Sequence, residues 1–130
     1  MLDLKAWIEK VTNALKIDYI VEQGTSGAWK YRVWASGKKE AWLRASLGAL
    51  SFTRASYRAY LSYTYGTACP ITFTSPVIVA SASSSTGSTR FENVGWSSNK
   101  LTGFFMSDTN STASGTVAYN AVILHAYIFE

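Results

Sequence analysis

The chain has 130 residues and a formal net charge of +4, and aromatic residues make up 15% of it, as do charged residues. This length allows one domain with a hydrophobic core but not two large ones, and the aromatic-rich, charge-poor composition excludes a disordered chain. No apolar run reaches the roughly 18 residues of a bilayer span, the charged start does not resemble a secretion signal, and the lone Cys69 excludes an intrachain disulfide and a thiolate metal cluster.

Positive charge is concentrated in the first half of the chain. Of the 12 Lys and Arg residues, all but Arg90 and Lys100 lie at or before Arg58. A groove that binds nucleic acid needs Lys and Arg side chains clustered with stacking aromatic rings over one face. The second half of the chain, which would form a binding head, is nearly neutral. We therefore expect solvated charges on a shaft and no nucleic-acid partner.

The first 16 residues carry a helical pattern. Apolar residues recur at heptad spacing, with polar residues between them, at Leu4, Ile8, Val11 and Leu15. This spacing predicts a stalk helix over residues 1–16 that associates as a trimeric coiled coil. An amphipathic helix packed on its own domain would give the same pattern. Because a helix of about two heptads is marginal alone in water, other contacts must also hold the chains together.

Residues 17–46 read as a β collar. From Ile17 the hydrophobic period drops towards two, which predicts a strand. Gly24 and Gly27 are expected to bracket a turn, and a second turn is expected at Ser36 and Gly37. Between these turns apolar residues alternate with basic and aromatic ones, namely Trp29, Tyr31 and Val33 with Lys30, Arg32 and Trp34. The same alternation resumes beyond the second turn, with Ala41 and Leu43 between Glu40, Trp42 and Arg44.

The segment EQGTSGAWKYRVWASGKKEAW, residues 22–42, resembles one that recurs in tail-fibre and minor structural proteins of phages and prophages from Gram-positive bacteria. The resemblance rests on several Trp, Gly and Arg positions. Where it suggests a cysteine between an acid and a tryptophan, this chain has Ala41. The resemblance implies a virion protein of the distal tail fibre, with an upstream tail-fibre or baseplate protein as its partner.

Residues 47–130 predict an antiparallel β-sandwich head. The tyrosines Tyr57, Tyr60, Tyr63 and Tyr65 fit either a sandwich core or a ligand surface. Strands are expected at 77–80, 90–96, 101–107 and 117–129, with polar loops at 81–89 and 108–115. The last strand alternates through Tyr119, Ala121, Ile123, His125, Tyr127 and Phe129. The predicted fold class is therefore mainly β: a short N-terminal helix, a β-hairpin collar and a sandwich head.

The predicted head also resembles the H-type lectin fold and the related receptor-binding heads of phage tail fibres. The resemblance is carried by Phe73, Pro76, Val77, Val79, Thr102, Gly103, Phe104, Tyr119 and Ala121. It implies a homotrimer that binds sugars near subunit boundaries. In animal lectins of this type the loop after the T-G-F strand supplies an aromatic residue and a histidine. This chain has Asp108-Thr109-Asn110-Ser111 there, so that sugar site does not transfer.

Carbohydrate sites combine an aromatic face with planar amide, carboxylate or guanidinium groups. The residues of these types in the predicted head are Trp96, Asp108, Asn110, Arg90, Asn93 and Tyr119. Core packing is the alternative role for Trp96, and turn-forming hydrogen bonds are the alternative for Asp108. We therefore expect attachment of the virion to host cell-surface carbohydrate. The alternative is a purely structural, trimerising fibre or baseplate segment without sugar binding.

The sequence does not predict catalysis. His125, the only histidine, lies within an apolar strand, and Glu92, Asp108 and Glu130 lack the paired spacing of glycosidase carboxylates. The segment from Gly24 to Gly27 lacks the Lys-Ser/Thr ending of a phosphate loop. We therefore expect no enzyme activity, no cofactor, no metal site and no membrane insertion.

Overall fold

The computed structural model describes residues 3–15, 18–109 and 112–130. Within them one helix precedes eight strands: α1 (Leu4–Leu15), β1 (Ile20–Ser26), β2 (Trp29–Trp34), β3 (Lys39–Ala55), β4 (Arg58–Thr64), β5 (Val77–Ser83), β6 (Thr89–Ser97), β7 (Lys100–Asp108) and β8 (Thr116–Phe129). The predicted mainly β fold with a short N-terminal helix is confirmed. Among the described residues no helix is long and apolar enough to span a membrane.

Strands β1, β2 and β3 form an antiparallel meander over the predicted hairpin. The turn between β2 and β3 is closed by Asp18, whose carboxylate accepts hydrogen bonds from the hydroxyl of Ser36 and, at 3.0 Å, from its backbone N–H. The hydrogen bond from the Ser36 hydroxyl lowers the pKa of Asp18. The first predicted turn was partly wrong, since only Gly27 lies in it. Gly24 belongs to β1, where a Cβ would lie 2.9 Å from the Tyr31 hydroxyl.

The long strands β3 and β8 pair antiparallel and organise the whole sheet. Their register runs from Glu40 opposite Phe129 to Thr53 opposite Thr116. The first half of β3 carries β2 on its other edge, the second half carries β4, and β7 and β6 follow β4. Strand β5 pairs with the second half of β8. The result is one curled antiparallel sheet, in which the predicted boundary at residue 46 falls inside β3.

Irregular backbone interrupts the β3–β8 pair near its middle. The register shifts on both sides of Gly48, and Gly48 and Ala121 both have a positive φ, of 68° and 49° respectively. A bulge of this kind bends a strand and changes the face to which the following side chains point. Tyr119 therefore points into the core, as do Val122 and Leu124 beyond the bulge.

The core lies inside the curled sheet. Its largest fully buried side chains are Trp29, Phe52, Phe105, Leu101, Leu124, Ile128 and Val122. The segment between β4 and β5 adds Cys69, Ile71 and Phe73, all of which are buried. Burial raises the pKa of the Cys69 thiol, and the thiol packs as a small apolar group of the core. The predicted loop over 81–89 begins later than expected, because β5 continues through Ser83 in its pairing with β8.

Gly103 allows β7 to approach the side chain of Phe91 closely. A Cβ at Gly103 would lie 2.5 Å from Cε2 of Phe91 and 3.1 Å from the carbonyl oxygen of Glu92. Gly103→Ala is therefore expected to lower the free energy of unfolding by about 1–3 kcal/mol, because a buried ring must move. Urea denaturation measures this loss. Gly66→Ala, with nothing within 4 Å of its Cβ, is the control, and equal stability of both variants would contradict the prediction.

Candidate functional site

Two of the predicted sugar-binding residues, Arg90 and Asp108, are paired with each other. Arg90 Nη1 and Nη2 donate to the Asp108 carboxylate at 3.1 and 3.2 Å, and Arg90 Nε donates to Glu92. These hydrogen bonds raise the pKa of Arg90, and the one to Asp108 has the larger effect. The group joins β6 to the end of β7 across the strand pair. A sugar could use these donors and acceptors only by displacing the existing hydrogen bonds.

Two of the remaining predicted site residues, Trp96 and Tyr119, have rings packed in the core and not beside that pair. Trp96 is half-buried among core aromatic rings, 6.0 Å from Trp29 and 5.7 Å from Phe73 between ring centroids. Tyr119 is buried, with its ring centroid 4.6 Å from that of Phe52. Asn93 is exposed at the bulge in β6 with a φ of 52°. Asn110 lies outside the described residues. The predicted residues that the structure describes are therefore divided between the core and the surface.

A different set of side chains converges on the outer surface of β2, β3, β8 and β5. We call this surface the aromatic face, and it comprises Trp34, Trp42, Tyr127, Phe129, Val77, Val79, Lys30, Arg32, Arg44, His125 and Glu40. Alternation places them there, because the intervening residues of β3 and β8 are buried in the core. The strand register sets Lys30, Trp42, Tyr127 and Val79 in one row across the four strands.

The rings of the aromatic face contact one another. The ring centroids of Trp42 and Tyr127 are 5.5 Å apart, and those of Tyr127 and Phe129 are 5.3 Å apart. The Arg32 guanidinium carbon lies 5.4 Å from the centroid of the Trp42 ring, a cation–π contact. On the neighbouring strand the side chains of Val77 and Val79 are 51% and 61% exposed. The surface is thus an accessible apolar platform with positive charge beside it.

Glu40 anchors the rings from beneath. It is buried, and its carboxylate accepts hydrogen bonds from Trp34 Nε1 at 3.0 Å and from the Tyr127 hydroxyl at 2.6 Å. Burial by itself would raise the pKa of Glu40, but these two hydrogen bonds and the positive charges of Lys38 and Arg32 outweigh it, so the pKa is lowered. The same hydrogen bond raises the pKa of Tyr127 to about 12. Glu40 therefore orients two rings of the platform.

The anchoring by Glu40 makes stability depend on acid pH. A carboxylate whose pKa is lowered by folding stabilises the protein above its unfolded-state pKa, and this contribution is lost as the pH falls through the folded-state pKa. Glu40→Gln is therefore expected to lower the free energy of unfolding by about 1–3 kcal/mol at neutral pH, because a buried hydrogen bond to a charge is lost.

The measurement is urea unfolding of both proteins from neutral to acid pH. The difference between wild type and Glu40→Gln should shrink as the pH falls, because wild-type Glu40 becomes protonated. Glu9→Gln is the control, since no hydrogen bond or ion pair of the Glu9 side chain is found within the described part of the chain. A constant difference at all pH values would contradict the assignment.

Two open grooves flank Lys30 and Trp42. The first has a volume of about 470 Å³ and reaches over β1 to Gln23 and Thr25. The second has a volume of about 530 Å³ and extends over β8 and β5, where it is lined by Trp42, Tyr127, Arg44, His125, Val79 and Ser81 among others. An aromatic wall with hydrogen-bonding groups at its edge can hold the apolar side of a sugar ring and reach its hydroxyl groups.

A second apolar surface lies where α1 meets β1. Leu4 and Ile8 are 64% and 43% exposed, and Val21 is 55% exposed. Together with Tyr19 they line an open groove of about 460 Å³. We call this the helix surface. It carries two of the predicted stalk residues. Val11 is also on α1, and the side chain of Leu15 lies outside the described part of the chain.

The outward side of the hairpin can be recognised in the sequence, but its role in a binding site cannot. The alternation places Lys30 on the basic and aromatic side of the first strand, and Trp42 and Arg44 on the corresponding side of the second strand. The missing information was the pairing of β3 with β8, which brings Tyr127 and Phe129 beside Trp42. No local signal predicts that pairing, because the two strands are far apart in the chain.

Comparison of the chain with protein-family models, with curated proteins and with solved structures finds no match.

Proposed function

We propose that this protein is a non-catalytic receptor-binding module of a phage or prophage tail fibre, which attaches the virion to host cell-surface carbohydrate as a homotrimer. The observation that carries the proposal is the aromatic face, on which Trp42 and Tyr127 present adjacent rings beside Lys30, Arg32 and Arg44. The resemblance of residues 22–42 to tail-fibre proteins supports the location on the virion. It also supports an upstream fibre or baseplate protein as partner.

The chemistry of the aromatic face suits a sugar better than a purely apolar ligand. One side of a pyranose ring presents C–H groups that pack on an aromatic ring, while its hydroxyl groups need hydrogen-bonding partners. Trp42 and Tyr127 supply the rings, and the side chains of Lys30, Arg44 and Ser81 lie around the same groove. Because Glu40 fixes the Tyr127 hydroxyl, this part of the platform is oriented before a ligand arrives, which limits the entropy lost on binding.

Trimerisation is supported by the helix surface. Apolar side chains remain exposed on the helix surface, namely Leu4 and Ile8 of α1 and Val21 of β1. A coiled coil would bury such area between copies of the chain. Three copies also present three carbohydrate sites. Several weak sites on one particle bind a repeating surface far more tightly than one site does. The proposed arrangement is a stalk, a hairpin collar and a lectin-like head that carries the sites.

The purely structural alternative has an observation in its favour. Val77 and Val79 on β5 are half or more exposed and border the aromatic face. In a fibre segment that only trimerises, this apolar edge and the neighbouring rings would be buried between copies, and no site would remain for a sugar. The two functions therefore make opposite predictions about whether the aromatic face is accessible in the assembled protein.

The deciding experiment measures binding of the purified full chain to a glycan array and to cell-wall carbohydrate of candidate Gram-positive hosts. The adhesin predicts retention on a subset of glycans that is lost when the aromatic face is altered. The structural segment predicts a folded trimer that binds no glycan. Release of reducing ends or acyl groups from the same material would instead reveal an enzyme and overturn both functions.

A further inference from the structure

We infer that the saccharide bound at the aromatic face carries a negative charge, a carboxylate or a phosphate, and that Lys30 and Arg44 hold this group in the larger groove. The inference rests on the proposed function, because it names the chemical class of the carbohydrate. It goes beyond that function, because neutral sugars also stack on aromatic rings.

The first support is the composition of the larger groove. Its charged and titratable side chains are Lys30, Arg44, His125 and Tyr127, and no carboxylate is among its lining residues. Glu40, the carboxylate of the aromatic face, is buried with hydrogen bonds from Trp34 and Tyr127. It is therefore a poor partner for a cation in the groove. The electrostatic potential in such a groove attracts an anion.

The second support is the pattern of ion pairs. In the described part of the chain three bases outside the groove lie near acids: Arg90 is 3.1 Å from Asp108, Lys38 is 3.8 Å from Glu40 and Lys39 is 4.0 Å from Glu130, whereas Arg32, Arg54, Arg58 and Lys100 have no carboxylate within 4 Å. In the described part of the chain neither Lys30 nor Arg44 has a carboxylate within 4 Å. Two unpaired cations on either side of one tryptophan leave their charge available to a ligand.

The third support is the spacing of these groups. Lys30 is directly opposite Trp42 across the β2–β3 pair, and Arg44 follows Trp42 by two residues on the same face of β3. Side chains in such positions stand about 5–7 Å apart. A sugar ring stacked on Trp42 therefore places an exocyclic acidic group within reach of either cation. A guanidinium binds carboxylate and phosphate through paired hydrogen bonds, which favours Arg44 as the main contact.

Single-stranded nucleic acid would also bring phosphates to aromatic rings. A protein that binds it needs a row of Lys and Arg side chains along the path of the phosphate backbone. Here the β5 side of the groove is formed by Val79, Ala80 and Ser81, and none of these is a Lys or Arg. A single acidic group beside a stacked ring fits this short basic site better than a polyphosphate chain does.

The test compares binding of the full chain to four immobilised polymers at two salt concentrations. They are a neutral polysaccharide, a polysaccharide with uronic-acid carboxylates, a polysaccharide with phosphodiester groups, and single-stranded DNA. We expect one of the two anionic polysaccharides to bind at least about tenfold more tightly than the neutral one. This is the gain in affinity, about tenfold, that one charge-assisted hydrogen bond provides. Which of the two binds identifies carboxylate or phosphate as the acidic group.

Lys30→Gln and Arg44→Gln are each expected to weaken the preferred interaction about tenfold and to reduce its salt dependence. The controls Arg58→Gln and Lys100→Gln each remove a positive charge outside the aromatic face and should leave binding unchanged.

Equal binding of neutral and anionic polysaccharides would overturn the inference and leave the proposed function standing. No saccharide bound at all would overturn the proposed function. DNA bound more tightly than every saccharide, with the same loss in both variants, would overturn the saccharide assignment.

Discussion

Trp42→Ala is expected to weaken binding to host carbohydrate by about 2 kcal/mol or more, roughly 30-fold in Kd. The Trp42 ring lies at the centre of the aromatic face, between the Arg32 guanidinium and the Tyr127 ring. Both grooves include it. Removing the ring takes away the stacking surface for a sugar in either groove, and it also releases Arg32 from its cation–π contact. The loss is measured as Kd on the preferred glycan.

The matched control for Trp42→Ala is Tyr57→Asn. Tyr57 is also an exposed aromatic residue, 57% accessible in the turn between β3 and β4, where its φ of 66° suits asparagine. This variant should bind carbohydrate as wild type does. Trp42→Tyr, which keeps a ring at the site, should retain most of the affinity and separates loss of stacking from loss of folding. Unchanged binding by folded Trp42→Ala would remove the aromatic face as the sugar site.

Ile8→Asp is expected to convert a trimer into a folded single chain. Light scattering of wild type should give three times the chain mass of 14.3 kDa. Ile8 is 43% exposed beside Val21 on the helix surface, and a carboxylate there would be buried without a partner in the proposed coiled coil. Burying an unpaired charge costs several kcal/mol, which a short helix cannot offset. The circular-dichroism signal of the sheet should persist in the variant.

Lys10→Asp provides the control for trimerisation, because Lys10 lies on α1 between Ile8 and Val11 and is exposed. This substitution introduces the same carboxylate outside the proposed contact between helices, and the variant should keep the molar mass of wild type. Wild type found as a folded monomer at micromolar concentration would contradict the homotrimer. The carbohydrate site on the aromatic face would then have to act without avidity.

The strands of the hairpin were predictable because their periodicity is local. Trp29 is buried in the structure and Lys30 is exposed, as the alternation of apolar and basic residues indicated. The later strands were also located correctly to within a few residues, since polar loops rich in Ser, Thr and Gly separate them. Periodicity identifies strands well when one face is buried and the other is solvated.

The candidate site was less predictable, because residue type alone does not report packing. Trp96 is of a residue type that often binds sugars, but in the fold its ring packs against the rings of Trp29 and Phe73. In β8 the positive φ at Ala121 lies between the inward-pointing Tyr119 and the outward-pointing Tyr127. A regular strand would place these two tyrosines on one face. A single bulge, which leaves little trace in the sequence, separates them.

The N-terminal helix, most of the strands and the two-sided character of the hairpin could be predicted from the sequence alone, because hydrophobic alternation acts over a few residues. The tertiary structure decided which strands meet and which rings face solvent. The pairing of β3 with β8 brings Trp42 beside Tyr127 across a separation of 85 positions. Such a contact depends on the mutual burial of Leu43, Leu124 and Ile128 beneath the sheet. Burial between distant strands is a property of the whole fold and cannot be seen in either strand alone.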